Sequence, residues 1–162
     1  MLIRSALRTD IGAITRIYNH YVLTSHVTFD TAACSEEERG FWFDSFDGER
    51  YQCWVAESDS VPAGYACSQA LKAKAAYQTS VEVSIYLARN QGGQGLGRAL
   101  YQALLPALAD RDLHRAYALV SQPNEASMRL HESFGFKPVS RLSEVGRKFD
   151  RYWDVVWLEL AF

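Results

Sequence analysis

The stretch from Thr79 to about Ala109 constrains the fold more than any other part of the chain. Val81, Val83, Ile85 and Leu87 alternate with Glu82, Ser84 and Tyr86, the period of two that a strand imposes. Gln91-Gly-Gly-Gln-Gly-Leu-Gly-Arg98 follows, with four glycines in eight residues. Leu100, Leu104 and Leu108 then recur at helical spacing. This predicts a helix from about Gly97 to Ala109, kinked or shortened by Pro106. A strand that turns through glycines into a helix aims free N–H groups and the positive end of the helix dipole at one point. Such a point suits a phosphate or pyrophosphate. Two common phosphate loops do not fit. Gly97-Arg-Ala99 lacks the Gly-Lys-Ser/Thr ending of a Walker loop, and Arg98 stands where a dinucleotide fingerprint needs its third glycine. A plain flexible connection remains the competing interpretation of the loop.

The other segments complete an α+β pattern. Leu2–Ser5 is expected to be a strand, and Thr9 an N-cap for a helix carrying Ile11, Ile14, Ile17, Tyr18, Tyr21 and Val22. Ser35 with Glu36 to Glu38 resembles a capping box. Gln52–Glu57 and Gly64–Gln69 read as a hairpin around the turn residues of Asp59–Gly64. A strand over Ala116–Val120, a short helix over Asn124–Ser133 and late strands near Lys137–Ser140 and Trp153–Leu160 follow. No repeat or linker divides the 162 residues, so one domain, 1–162, is expected. Hydrophobic residues at 48% and charged residues at 22% are those of a globular chain. A net charge of -2 lacks the basic surplus of a nucleic-acid binder. No apolar run reaches the roughly 18 residues of a membrane span, and no signal peptide is evident. Cys34, Cys53 and Cys67 have no metal or redox spacing, and His20 and His26 have no ligand partner. These features predict a cytoplasmic protein with no metal, nucleic-acid or membrane partner.

Two motifs are more specific in combination. Val81–Leu87 with Gly93-Gln-Gly-Leu-Gly-Arg-Ala-Leu100 resembles the acetyl-CoA motif of the GNAT acetyltransferase superfamily. Asn124-Glu-Ala-Ser-Met-Arg-Leu-His-Glu-Ser-Phe-Gly-Phe136 resembles its second motif, in the family's order and at a suitable separation. Tyr18–Tyr21, Val27–Phe29, Ala76–Tyr77 and Glu144–Asp154 resemble the phosphinothricin-acetyltransferase subgroup, so the likeness covers nearly the whole chain. It implies a GNAT fold: a mixed, mostly antiparallel central sheet flanked by helices, with strands splayed at the cofactor site. It also implies an acetyl-CoA-dependent N-acetyltransferase acting on a small amino acid or analogue, of the phosphinothricin or methionine sulfoximine type, and commonly a homodimer. A peptide or protein N-acetyltransferase and a non-catalytic acyl-CoA sensor are the alternatives.

The resemblance carries over residue by residue. Ile85, Tyr86 and Leu87 would contact the pantetheine arm, with the N–H of Tyr86 or Leu87 donating to the thioester carbonyl. Gly93, Gln94, Gly95, Leu96, Gly97 and Arg98 would hold the pyrophosphate. Asn124 and Ser127 would contact the cofactor near its thioester, although Asn124 also suits a helix cap. Gly92 stands where the family usually has Arg or Gln, which implies weaker cofactor binding. Glu82 matches the subgroup's glutamate and is the candidate base; otherwise it is a solvent-facing strand residue in a salt bridge. His131 occupies the position of a tyrosine acid in many relatives; otherwise it packs beside Phe134. Phe29, Lys74 and Tyr77 match regions lining the acceptor site, Lys74 as partner of a carboxylate. For the two aromatics, core packing is the alternative.

Overall fold

The computed structural model describes residues 1–162. Its elements are β1 (Leu2–Ser5), α1 (Ile11–Thr24), α2 (Glu36–Phe43), β2 (Cys53–Ser58), β3 (Val61–Ala70), β4 (Ser80–Leu87), α3 (Leu96–Ala109), β5 (Arg115–Ser121), α4 (Glu125–Ser133), β6 (Lys137–Lys148) and β7 (Arg151–Ala161). One seven-stranded sheet has the order β1-β2-β3-β4-β5-β7-β6. Only β4 and β5 are parallel. This is the mixed, mostly antiparallel sheet that the sequence predicts.

The alternation in β4 sorts its side chains between two cores. Val81 and Val83 join Leu100, Leu104 and Leu108 of α3, all buried, on one face. Each such aliphatic side chain contributes about 1.5–3 kcal/mol on leaving water. Pro106 is exposed on the opposite side of α3, so the helix keeps its apolar stripe through the proline. On the other face, Ile14 and Ile17 of α1 pack on Val55, Tyr65 and Cys67, with Tyr86 alongside.

Three local expectations change. Thr9 does not cap α1: a 3-10 turn at Arg8–Asp10 leads into it, and no side chain caps its first turn. Asp10 instead turns back, its carboxylate accepting from Arg4 at 2.7 and 2.9 Å and from the Leu7 N–H at 2.7 Å. The late strands are far longer than expected, 12 and 11 residues, and form one hairpin. Register shifts between Pro138 and Ser140 and between Leu142 and Gly146 break its alternation, which hides the strand period in the sequence. The expected capping box is present: Ser35 Oγ accepts from Glu38 N–H at 3.1 Å, and Glu38 Oε2 accepts from Ser35 N–H at 2.7 Å.

The hairpin also fixes the connection between α1 and α2. Lys148 is buried, and its ammonium donates to the Thr28 carbonyl at 2.8 Å. Tyr18 holds the same segment from α1, donating to Asp30 Oδ2 at 2.6 Å, with Thr28 Oγ1 2.8 Å away. Gly146 makes room for the Phe29 ring: a Cβ there would fall 2.1 Å from a ring carbon.

Burial alone would push the Asp10 carboxyl upward, but the bonds from Arg4 and Leu7 win and hold it below its ordinary range. A depressed carboxyl contributes stability that is present above its unfolded pKa and lost as pH falls through the lower, folded one. Asp10→Asn is therefore expected to lower stability by about 1.5–3 kcal/mol at neutral pH. The gap to the wild type should close as acid protonates Asp10, which urea titrations at stepped pH would measure.

Candidate active site

The site begins where the sheet opens. β4 and β5 pair at Ser80–Arg115, Val81–Ala116 and Glu82–Tyr117, and nowhere beyond. β5 continues against β7 as far as Ser121, and β4 continues against β3 as far as Leu87. The Ala88 N–H donates to the Ala63 carbonyl at 2.8 Å. Antiparallel alternation then directs the main-chain groups of Tyr86 and Ser84 at β3. Those of Val83, Ile85 and Leu87 face the gap. Leu87, rather than Tyr86, therefore has its N–H toward the opening. The Leu87 carbonyl is taken by the Tyr21 hydroxyl at 2.7 Å.

Two cavities meet at this gap. One, of about 550 Å³, runs from β4 along the glycine loop to α4. Ile85, Tyr86, Leu87, Gly93, Gly95, Gly97, Arg98, Asn124 and Ser127 all line it, as does His131. The other, of about 380 Å³, lies over the opposite face and holds Glu82 and Phe29. Val27, Ser84, Tyr86 and Leu119 wall both.

The first cavity offers main-chain donors at its loop end. Gly93 and Gly95 have φ of 77° and 79°, a left-handed conformation that glycine adopts without strain. The N–H groups of Gly92, Gly93, Gln94 and Gly95 donate to no main-chain carbonyl. Gly95 caps α3 without a side-chain bond, which leaves the first-turn amides facing out. Gly97 serves a second purpose: a Cβ there would meet Leu130 at 3.1 Å, so it lets α3 and α4 approach. Arg98 and Arg89 line the same end, and the Arg98 guanidinium lies 5.7 Å from the Phe134 ring centroid. Gln94 and Leu96 lie apart from the cavity. Gln94 donates to the Asn90 carbonyl at 3.4 Å, and Leu96 is buried in the core.

In the second cavity Glu82 is the last residue of β4 paired to β5. Burial holds its carboxyl above the ordinary glutamate range, with Lys72 pulling the other way. It is therefore neither the freely solvated strand glutamate nor a carboxylate locked in a salt bridge.

His131, the expected general acid, stands in the wall of the first cavity. It is 2% exposed. Its Nδ1 donates to the Ser127 carbonyl at 2.8 Å, which leaves Nε2 to accept from the Tyr101 hydroxyl at 2.7 Å. Burial pulls its pKa below the usual value against the opposing bond to Ser127. Its two ring hydrogen bonds join α4 to α3 at the wall of the first cavity. Asn124 caps α4, its Oδ1 accepting from Ser127 N–H at 3.2 Å, while also lining the cavity. Lys74 and Tyr77 lie outside both cavities in the exposed connection between β3 and β4, and Tyr77 is 45% exposed. Phe29 alone of the three expected acceptor residues reaches the second cavity.

Sequence reasoning missed Arg89, Tyr21 and Arg39. Arg89, directly after the strand and before the glycines, was legible as a cation beside an anion site. Tyr21 and Arg39 come from helices more than 40 residues upstream of the loop, and no local pattern links them to it.

Gly92 and Gly93 make a matched test of the loop. Gly92 is outside the positive-φ set, and a Cβ there meets nothing within 4 Å. Gly92→Arg should be tolerated and should tighten acetyl-CoA binding, whereas Gly93→Ala, strained by about 1–2 kcal/mol at positive φ, should weaken it. Calorimetric titration with acetyl-CoA measures both, and equal affinities in the two variants would remove the loop from cofactor binding.

The family model described as acetyltransferase (GNAT) matches residues 14–136. A phosphinothricin N-acetyltransferase of Streptomyces coelicolor is 50% identical over 97% of this chain and 94% of its own. A phosphinothricin acetyltransferase from Sinorhizobium meliloti, solved in complex with acetyl-CoA, superposes with a TM-score of 0.95 at 28% identity, covering 99% of this chain and 88% of that one. A ribosomal-protein-alanine N-acetyltransferase from Brucella melitensis superposes with a TM-score of 0.96 at 30% identity, covering all of both chains. This chain belongs to the GNAT family of acetyltransferases.

Proposed function

We propose that this protein transfers the acetyl group of acetyl-CoA to the amino group of a small amino acid or amino-acid analogue, of the phosphinothricin or methionine sulfoximine type. The observation that carries this reading is the meeting of two unlike cavities at the β4–β5 gap. One offers main-chain amides and arginines suited to a diphosphate; the other holds a half-buried carboxylate among aromatic rings. The unpaired amides of the loop and the free edge of β4 fit acetyl-CoA, with Gly93, Gly95 and Gly97 at its phosphates and Ile85 to Leu87 along its arm. Acetyl-CoA supplies an activated acyl group.

The chain's own residues supply the rest. An ammonium has no lone pair and must lose a proton before it can attack. Glu82 accepts that proton, directly or through water, and its raised pKa brings it closer to the amine it must deprotonate. The Leu87 N–H faces the gap, where it can donate to an oxygen as negative charge develops there. Ser84 and Tyr86, walls of both cavities, orient the two substrates toward each other.

The likeness to the Brucella enzyme favours a second reading, in which the acceptor is the N-terminus of a peptide. The roof of Thr28–Asp30 and the small acceptor cavity weigh toward a free amino acid. Thiol release from acetyl-CoA, measured against phosphinothricin, methionine sulfoximine, common amino acids and an alanine-led peptide, separates the readings. Release with small amino acids is expected, and release with the peptide alone would reverse the assignment. Cofactor binding without release to any amine would mark a sensor. In the same assay Glu82→Gln should lower kcat by about 100-fold or more while leaving acetyl-CoA affinity near normal. Because the base works deprotonated, wild-type activity should rise with pH through a limb displaced above the ordinary glutamate range.

We also assign a homodimer and a cytoplasmic setting. Val139, Leu142, Val145, Phe149 and Tyr152 leave apolar area exposed on the β6–β7 hairpin, which a second copy would cover. Light scattering should return twice the monomer's 18.3 kDa, and a monomer at micromolar concentration would refute it. Cys53 and Cys67 face each other across β2 and β3 as free thiols, which suits a reducing compartment. No helix is long and apolar enough to cross a membrane.

A further inference from the structure

We infer that Arg39 binds the α-carboxylate of the acceptor and so selects amino acids over plain amines; this rests on the acetyl-transfer reading above. Arg39 projects from α2 and is 7% exposed. It forms no ion pair. Its one side-chain hydrogen bond runs from Nη2 to Cys34 Sγ at 3.2 Å, and sulfur is a weak acceptor. Its Nε is buried without any partner. The guanidinium carbon lies 4.2 Å from the Tyr18 ring centroid and 4.6 Å from that of Trp42. The rings hold the guanidinium in place, and its Nη1 makes no hydrogen bond within the protein.

A buried cation without a counterion is costly, and a chain retains one where an anion arrives to complete it. Arg39 is the cationic side chain in the wall of the acceptor cavity. Asp30 and Glu82 are the other charged residues there. Asp30 accepts from the Tyr18 hydroxyl at 2.6 Å and forms no ion pair with Arg39. Glu82 is the acceptor of the ammonium proton. Cys67 of β3 lines the same cavity as Glu82 and Arg39. A zwitterionic amino acid thus meets a carboxylate for its ammonium and a guanidinium for its carboxylate. This fills the role expected of Lys74, which is exposed and outside the cavity.

The test compares L-methionine sulfone with its α-carboxamide, which keeps the amine and side chain and removes the negative charge. The wild type should prefer the acid in kcat/KM by about 10–100-fold, the factor of a hydrogen-bonded charge pair. In Arg39→Met that preference should fall to near one, mainly through a higher KM for the acid, and Arg39→Lys should keep part of it. Circular dichroism and an unchanged Kd for acetyl-CoA check that each variant is folded. A merely structural arginine would depress both substrates alike. An equal acid preference in the wild type and Arg39→Met would overturn the inference, as would a wild type that does not distinguish the pair. If the wild type acetylates neither compound, the acetyl-transfer reading fails, and calorimetry with the same two compounds in the presence of coenzyme A decides the role of Arg39. Tighter binding of the acid that disappears in Arg39→Met supports the role, and binding independent of Arg39 ends it.

Discussion

The parting of β4 and β5 beyond Glu82 is the constraint on which the rest of the molecule depends. Past that residue, β4 keeps one ladder and loses the other, so main-chain groups of Val83, Ile85 and Leu87 face a gap. Unpaired backbone is costly when buried, so the gap must admit water or a ligand. Each half of the sheet is secured on its far side. β4 is held through β3 and β2 to β1, and β5 through β7 to β6. The two halves share a continuous core beneath α3, which keeps the opening fixed. The pocket therefore results from the pairing register.

The placement of the chemistry follows from that geometry. A strand presents alternate residues to opposite faces, so one short segment can serve both cavities. Ile85 and Leu87 turn toward α3, while Glu82, Ser84 and Tyr86 turn toward α1 and α2. The glycine loop follows β4 directly, which brings helix-terminal amides to the same seam. The carboxylate sits at the last paired position, half-covered by the closed part of the sheet, and burial there raises its pKa. One residue earlier would point to the opposite face, into the core beneath α3, as the fully buried Val81 does.

Much of this was legible in the sequence, for reasons that differ by element. β4 and α3 read cleanly because their apolar periods are unbroken and their burial is one-sided. The capping box at Ser35 read cleanly because it is a contact between near neighbours. The hairpin of β6 and β7 was shortened in the reading because its register shifts and exposed outer strand remove the period of two. Thr9 failed as a cap because Arg4, from a different element, captured Asp10 and set the entry to α1. The acceptor cavity was least legible. Its walls come from α1, α2, β3, β4, β5 and β7, and Arg39 sits in a run of charge, Glu36-Glu-Glu-Arg39, that reads as a solvated helix face.

His131 is a buried polar residue whose place is set by its partners. A histidine there brings two polar nitrogens into a space among Tyr101, Phe134 and Phe136, and buried polar atoms need partners. Tyr101 supplies one and the Ser127 carbonyl the other, so the ring is fixed. The bond to Ser127 spans one turn of α4 and steadies the turn that Asn124 caps. The bond to Tyr101 ties that turn to α3, beside Gly97, where the two helices approach closely. The histidine thereby braces the cavity wall between the glycine loop and α4.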